Sequence, residues 1–306
     1  MTRALPIALA ILAIIPFGLH SQFLVDLAML TAISAAVGQA WNITGGFGGL
    51  TSFGHVAFFG FGAYGAAILQ TRYGVNPWFG LPLGAVLGAA VGAGMGWASF
   101  RAGLRGSYFA LATLAMAEAF RILANSLDFT HAGLGLLVPL HIDPANFQFG
   151  DRRVSYGLAL ALVLASVAVA TWLTRSRFGA QLIAVRENED AARALGVKVL
   201  RTKVTALAIS GSLTAIAGVL YTQTYLYIDP NIAFGSERSV EMLLVAMIGG
   251  AGTVIGPILG AIALHLVADT SRTWINIPGF APMLYGVVLL FIIAFLPGGI
   301  ARLRSA

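Results

Sequence analysis

Apolar stretches of about 17 to 25 residues, the length an α-helix needs to cross roughly 30 Å of hydrocarbon, recur along this whole chain between short polar joints. Windows near 4–20, 23–43, 53–70, 78–100, 107–125, 155–174, 203–226, 240–268 and 280–297 fit that length. The pattern predicts spanning helices. A β-barrel, the other structure that crosses a bilayer, needs strands of about ten residues that alternate apolar and polar, and "SYGLALALVLASVAVATWL" has no such alternation. Two interruptions stand out: "NITGGFGGLTSFGH" between the second and third windows, and "IGGAGTVIGP" in the middle of the eighth. If the second interruption lets its window cross twice as shorter helices, the chain has ten membrane elements rather than nine. The fold class predicted is all-α, a polytopic integral membrane protein of nine to ten transmembrane helices.

Composition agrees: 58% of the 306 residues are hydrophobic and 10% charged, with mean hydropathy +0.86, where soluble domains carry about 25% charged residues. A water-soluble globule is excluded. Absence of cysteine rules out disulfides and thiolate metal sites. The net charge of +6 is explained by its location rather than by nucleic acid, which is not expected as a partner. Residues 175–203 hold seven of the eighteen Lys and Arg and only three acids, so positive-inside bias places this segment in the cytoplasm. Counting spans from there puts Arg101, Arg105 and Arg3 inside, and, with ten elements, Arg302 and Arg304 also. Both termini are then cytoplasmic, and the outer connections are 126–154 and 227–239, with Arg152 and Arg153 outside against the trend. The apolar run after Arg3 lacks a small-x-small cleavage site and is read as an uncleaved span. No separate soluble domain is apparent: residues 1–306 read as one transmembrane domain, with 175–203 a cytoplasmic loop within it.

Candidate chemistry is sparse. "GFGAYG" at residues 60–65 matches a dinucleotide fingerprint in spacing, but it lies inside a span without the strand that such a site requires; close helix packing explains it better. Gly84, Gly88, Gly92 and Gly96 recur every fourth residue and form one smooth helix face. Neither glycine-rich break carries the Lys and Ser/Thr of a phosphate loop, so the chain is not expected to bind ATP or act as an enzyme. His20, His55, His131, His141 and His265 have no metal-ligand spacing; no metal or cofactor is expected. Glu118 and Arg121 can neutralise each other at i,i+3, and Asp26 can lie at the interface. No cluster of acids suggests a proton relay, and no cluster of His, Asp and Glu suggests an intramembrane enzyme. One polar segment has a helix of its own: "RENEDAARALGV" places acids first and Arg later, as the helix dipole prefers, with Gly196 as a natural stop. It is either a solvated connection or a knob that another protein grips.

"DAARALG", with Asp190 in its acidic place, resembles the coupling loop of ABC importer permeases. "AVRENEDAARALGVKVLRTKVTALAISGSLTAIAGVLY", "GGFGGLTSFGHVAFFGFGAYGAAIL", "MLLVAMIGGAGTVIGPILGAIAL" and "LYGVVLLFIIAFLPGGIARL" resemble the branched-chain amino acid permeases over most of 38–303, and "SFGH" resembles the LivM-type rather than the LivH-type member. The resemblance implies a type II-like permease of about ten helices with an inverted internal repeat. It implies ABC ATPase subunits, a second, LivH-type permease and a periplasmic or extracellular substrate-binding protein as partners, in the bilayer of a bacterial cytoplasmic (inner) membrane. ATPase coupling would fall on Glu187, Glu189, Asp190, Ala191, Ala192 and Gly196. The translocation path is expected to be lined by Gly45, Gly46, Ser52, His55, Gly249, Gly250, Gly252 and Pro257. The implied function is import of branched-chain or related small amino acids on ATP hydrolysed by the partners. Aromatic acids and urea are carried by similar permeases. The alternative is an ion-coupled secondary transporter or channel for a small polar metabolite, which the Gly-broken spans suit equally.

Overall fold

A computed structural model describes residues 21–274, 283, 286–287 and 298–302. The spans expected at 4–20 and at 280–297, apart from three residues of the latter, lie outside the described residues, as do Arg3, Arg304 and both termini. Eleven helices are described: α1 (Gln22–Asn42), α2 (His55–Tyr73), α3 (Gly80–Arg101), α4 (Gly106–Ser126), α5 (Arg152–Arg175), α6 (Arg177–Glu187), α7 (Glu189–Ala194), α8 (Val199–Tyr225), α9 (Pro230–Phe234), α10 (Ser236–Gly249) and α11 (Gly256–Trp274). The chain is an all-α polytopic membrane protein. Among the described residues, five stretches are long and apolar enough to cross a bilayer: α1 with the π-helical turn that extends it to Phe47, α3 with the turn that precedes it from Pro77, α4, α5 and α8.

The smooth glycine face is the seam of the bundle. Gly84, Gly88, Gly92 and Gly96 are all buried, and a Cβ on Gly88 would meet the Gly211 carbonyl and the Ala215 methyl of α8, while one on Gly92 would meet the Leu207 carbonyl. Without Cβ atoms, α3 and α8 run antiparallel in backbone contact, where dispersion between close helices replaces the hydrophobic effect that lipid does not supply. Helix α2 is enclosed by its neighbours. Twelve of its nineteen residues are buried, and Gly62 and Gly218 bring α2 against α8 in the same way, so "GFGAYG" is a packing motif.

The eighth window divides as the "IGGAGTVIGP" break suggested. Helix α10 ends at Gly249, the chain turns through Gly250 (φ 119°) and Gly252 (φ 78°), both in conformations that favour glycine, and α11 returns against α10, with Gly260 against the Val245 carbonyl. Fourteen residues of α10 rise only about 21 Å, less than the hydrocarbon thickness. The hairpin packs on α1 and completes the main core with Met242, Leu244, Ile258 and Leu264.

The connections expected on one side form a single cap. Leu136 and Leu137 pair antiparallel with Ile228 and Tyr227, and Trp78 Nε1 donates to the Pro144 carbonyl at 2.9 Å. Arg152 reaches Asp26 at 2.6 Å, which gives the arginine that runs against the charge trend a carboxylate partner. This is the cap end of the bundle; α6 and α7 lie at the opposite, basic end.

Candidate functional site

At the basic end, Asn188 caps α7 by accepting from the Asp190 and Ala191 amides at 3.0 Å, and Gly196 ends it at φ 85°. The knob is two-sided. Glu187, Asp190, Ala191 and Gly196 are exposed, whereas Ala192 is buried with Val185 and Val199. Glu189 forms an ion pair with the buried Lys203 of α8 and lies 3.4 Å from Arg105 in the α3–α4 turn. Four of the six residues expected in coupling are thus open to a partner, and two fasten the knob to the bundle.

Arg186, which sequence reasoning passed over, connects this knob to the membrane core. Its Nε and Nη2 donate to Glu187 Oε1, at 3.1 and 2.5 Å, and its Nη1 donates to the Gly46 carbonyl at 3.0 Å. Its aliphatic stem occupies the space where a Cβ on Gly49 would stand.

Gly46 in turn belongs to a junction of the two glycine-rich breaks. Asn42, the last residue of α1, donates from Nδ2 to the Thr253 carbonyl (2.9 Å) and accepts on Oδ1 from the Gly252 amide (2.7 Å). A Cβ on Gly46 would overlap both Asn42 Oδ1 and the Gly252 nitrogen. Asn42→Ala would leave a buried donor and acceptor without partners, each costing about 1–3 kcal/mol. The expected outcome is a lower melting midpoint in detergent and proteolysis in the 250–256 turn at protease concentrations that leave the parent intact.

Beside this junction Trp41 Nε1 donates to the Ser52 carbonyl at 2.8 Å, and the Trp41 ring fills the place of a Cβ on Gly45. His55 is fully buried, with Nε2 at 2.8 Å from Ser210 Oγ and 3.2 Å from Thr44 Oγ1. Both hydroxyls spend their single hydrogen on backbone carbonyls, Ala40 and Trp41, so Nε2 carries the proton and His55 is a hydrogen-bonded core residue. Pro257 lies in the first turn of α11 and packs near Gly38. The eight residues expected to line a path therefore gather at one closed, well-bonded junction, and none of them borders the principal cavity.

That cavity, about 1140 Å³, comparable with the upper range of small-molecule sites, opens towards the cap end among α1, α4, α8, α10 and α11. Its wall carries Glu118 and Arg121, paired side by side at 2.5–3.0 Å, with Arg121 also donating to Asn231 Oδ1 at 3.0 Å. Ser34 donates to Glu241 Oε1 at 2.7 Å, and His265 Nε2 lies 2.8 Å from Ser34 Oγ. Arg238 stacks over the rings of Phe59 (5.0 Å) and Tyr221 (4.5 Å). The local signal was Glu241, set where the charged first turn of α10 (Glu237, Arg238) gives way to its apolar part, since ionisable residues at membrane depth mark functional positions; its partners on α1 and α11 left no signal near it in sequence.

Comparisons with known proteins give the family. A model of the family described as branched-chain amino acid transport system / permease component matches residues 23–293. The chain is 31% identical to the high-affinity branched-chain amino acid transport system permease protein LivM of Escherichia coli (strain K12), over 96% of this chain and 73% of that one. It is 28% identical to the probable branched-chain amino acid transport permease protein LivM of Methanocaldococcus jannaschii, over 65% and 61%. It is also 34% identical to the autoinducer 2 import system permease protein LsrC of Klebsiella pneumoniae, over 47% and 42%. No solved structure matches the chain. With the family match covering most of the sequence and the helical bundle that carries it, the chain belongs to the branched-chain amino acid transport system permease family.

Proposed function

We propose that this permease imports a branched-chain or related small amino acid across the bacterial cytoplasmic membrane on ATP hydrolysed by separate subunits docked at the basic end. The observation that carries the reading is the two-sided knob: Asp190 and its exposed neighbours face outward, while Arg186 and Glu189 bond the same segment to the bundle. An exposed amphipathic turn with a rigid connection to the core suits a part that is pushed by a partner. In this reading the basic end, the termini and loop 175–203 are cytoplasmic.

The cycle follows from the connections. Closure of the ATPase pair displaces α6 and α7; Arg186 transmits that displacement to the Gly46 carbonyl; and the Asn42 clasp passes it to the α10–α11 turn. The residues around Gly45–His55 and Gly249–Pro257 then act as the inner gate of the path, closed here. A binding protein on the cap delivers substrate to the cavity, which a second, LivH-type permease completes, and alternating access follows from two arrangements of the gate. The family assignment and the knob together favour this reading over ion-coupled transport.

The chain has no cysteine, so Asp190→Cys offers a single thiol. Cross-linking with a short bifunctional reagent in the assembled complex should join this permease to an ATPase subunit, and a cross-link only to another membrane subunit would overturn the docking. Asp190→Lys should abolish uptake at unchanged membrane levels, because the pair it breaks, with Arg193 at 3.1 Å, is exposed and such pairs contribute about 0–1 kcal/mol. Gly196 has open space around it but a left-handed backbone, so a bulky residue there adds strain of about 1–2 kcal/mol and reshapes the knob without disturbing the core.

A further inference from the structure

From the cavity wall we infer that Arg238 and Glu241 form a recognition pair for a zwitterionic α-amino acid, Arg238 taking the carboxylate and Glu241 the ammonium group. The inference rests on the reading of the chain as an amino acid importer and assigns that substrate class to particular side chains. Three observations carry it. The first is the state of one neighbouring charge pair: of the other charged residues on the wall, which include Glu237 and Asp269, Glu118 and Arg121 satisfy each other through three hydrogen bonds, so neither of these two is open to a ligand at low cost.

The second is the state of Arg238. Among the described residues it makes no ion pair, and its guanidinium carbon lies 5.0 Å from the ring centre of Phe59 and 4.5 Å from that of Tyr221, at the cavity wall. The two rings hold the cation by cation–π attraction without using up its N–H groups, which suit a bidentate acceptor such as a carboxylate. The third is Glu241, one turn further along α10. Ser34 donates to its Oε1, and His265 stands 3.6 Å from the same oxygen while bonding to Ser34. The hydroxyl's only hydrogen goes to the carboxylate, so His265 donates from Nε2 to Ser34, and this relay holds one oxygen of Glu241 in place. Among the described residues, no hydrogen bond is found on the other oxygen.

Positions i and i+3 of a helix bring their side chains together on one face. The result is a fixed cation and a fixed anion, adjacent on one wall of a cavity, complementary to adjacent ammonium and carboxylate groups. A neutral polyol would not satisfy this pair, and a ligand with only one of the two charges would leave the other protein charge without its partner.

The test uses the complete transporter complex in nanodiscs, with no binding protein present, and ligand-observed saturation-transfer NMR with three probes: L-leucine, leucinamide, which lacks the carboxylate, and 4-methylpentanoate, which lacks the ammonium group. Arg238→Gln should weaken L-leucine at least about tenfold, the scale of one lost charge-assisted bond, and leave leucinamide unchanged. Glu241→Gln should weaken L-leucine similarly and leave 4-methylpentanoate unchanged. Unselective loss of all three probes, or L-leucine binding unaffected by both substitutions, would overturn the inference. A different result would overturn the underlying reading: a wild-type complex that, given its binding protein and ATP, accumulates no amino acid in sealed vesicles.

Discussion

Gly88→Leu should remove most folded protein from the membrane, whereas Gly94→Leu, six residues further along the same helix, should be tolerated. A side chain at Gly88 has to enter space held by the Gly211 carbonyl and the Ala215 methyl, while nothing lies within 4 Å of a Cβ at Gly94. Overpacking of a core typically costs about 1–3 kcal/mol, because neighbouring side chains adjust. Here the neighbour is backbone, and the helices can only separate. Gly84 and Gly92 would lose their close contacts with α8 at the same time, so the whole seam is affected rather than one position. The monodisperse fraction in size-exclusion chromatography should fall at least about tenfold for Gly88→Leu and stay within about twofold of the parent for Gly94→Leu. Equal yields and equal melting midpoints for the two variants would show that α3 and α8 are not held in this contact.

The second large effect is expected at Arg186. Arg186→Ala should leave ATP hydrolysis by the assembled complex within about twofold of the parent and reduce substrate uptake at least about tenfold, because the ATPase still docks while its motion no longer reaches Gly46. Lysine should not restore uptake. Arg186 engages Glu187 through two nitrogens and Gly46 through a third, and a single ammonium on a flexible stem cannot hold both in one plane. The informative quantity is the number of ATP molecules hydrolysed per substrate accumulated, which should rise sharply in the variant. Parallel loss of hydrolysis and uptake would assign Arg186 to docking rather than to transmission.

Features confined to one helix were legible in the sequence. The four-residue spacing of Gly84 to Gly96 announced a packing face, the i,i+3 pair of Glu118 and Arg121 is present as a pair, and the glycines and Pro257 of the "IGGAGTVIGP" stretch marked a break that does reverse the chain. The boundaries and the exposed character of "DAARALG" were also legible, because caps, charge order and a stop glycine act within one or two turns. Contacts between distant segments were not. Arg186 and Gly46 are separated by 140 positions, and Ser34 is 207 positions from Glu241 and 231 from His265. No local pattern predicts which of several polar residues in apolar helices will meet. The path residues show the same limit: the glycine-rich breaks were visible in the sequence, yet composition alone could not distinguish a closed junction, tied by Asn42, from an open cavity wall.

The most direct test of the account is uptake of labelled L-leucine into sealed proteoliposomes that contain this permease, its partner permease and the ATPase subunits, with binding protein outside and ionophores present to collapse ion gradients. Accumulation above the external concentration is expected when ATP is enclosed, none without ATP, and none for the Asp190→Lys complex. Accumulation driven by an imposed ion gradient and indifferent to ATP and to Asp190→Lys would contradict it.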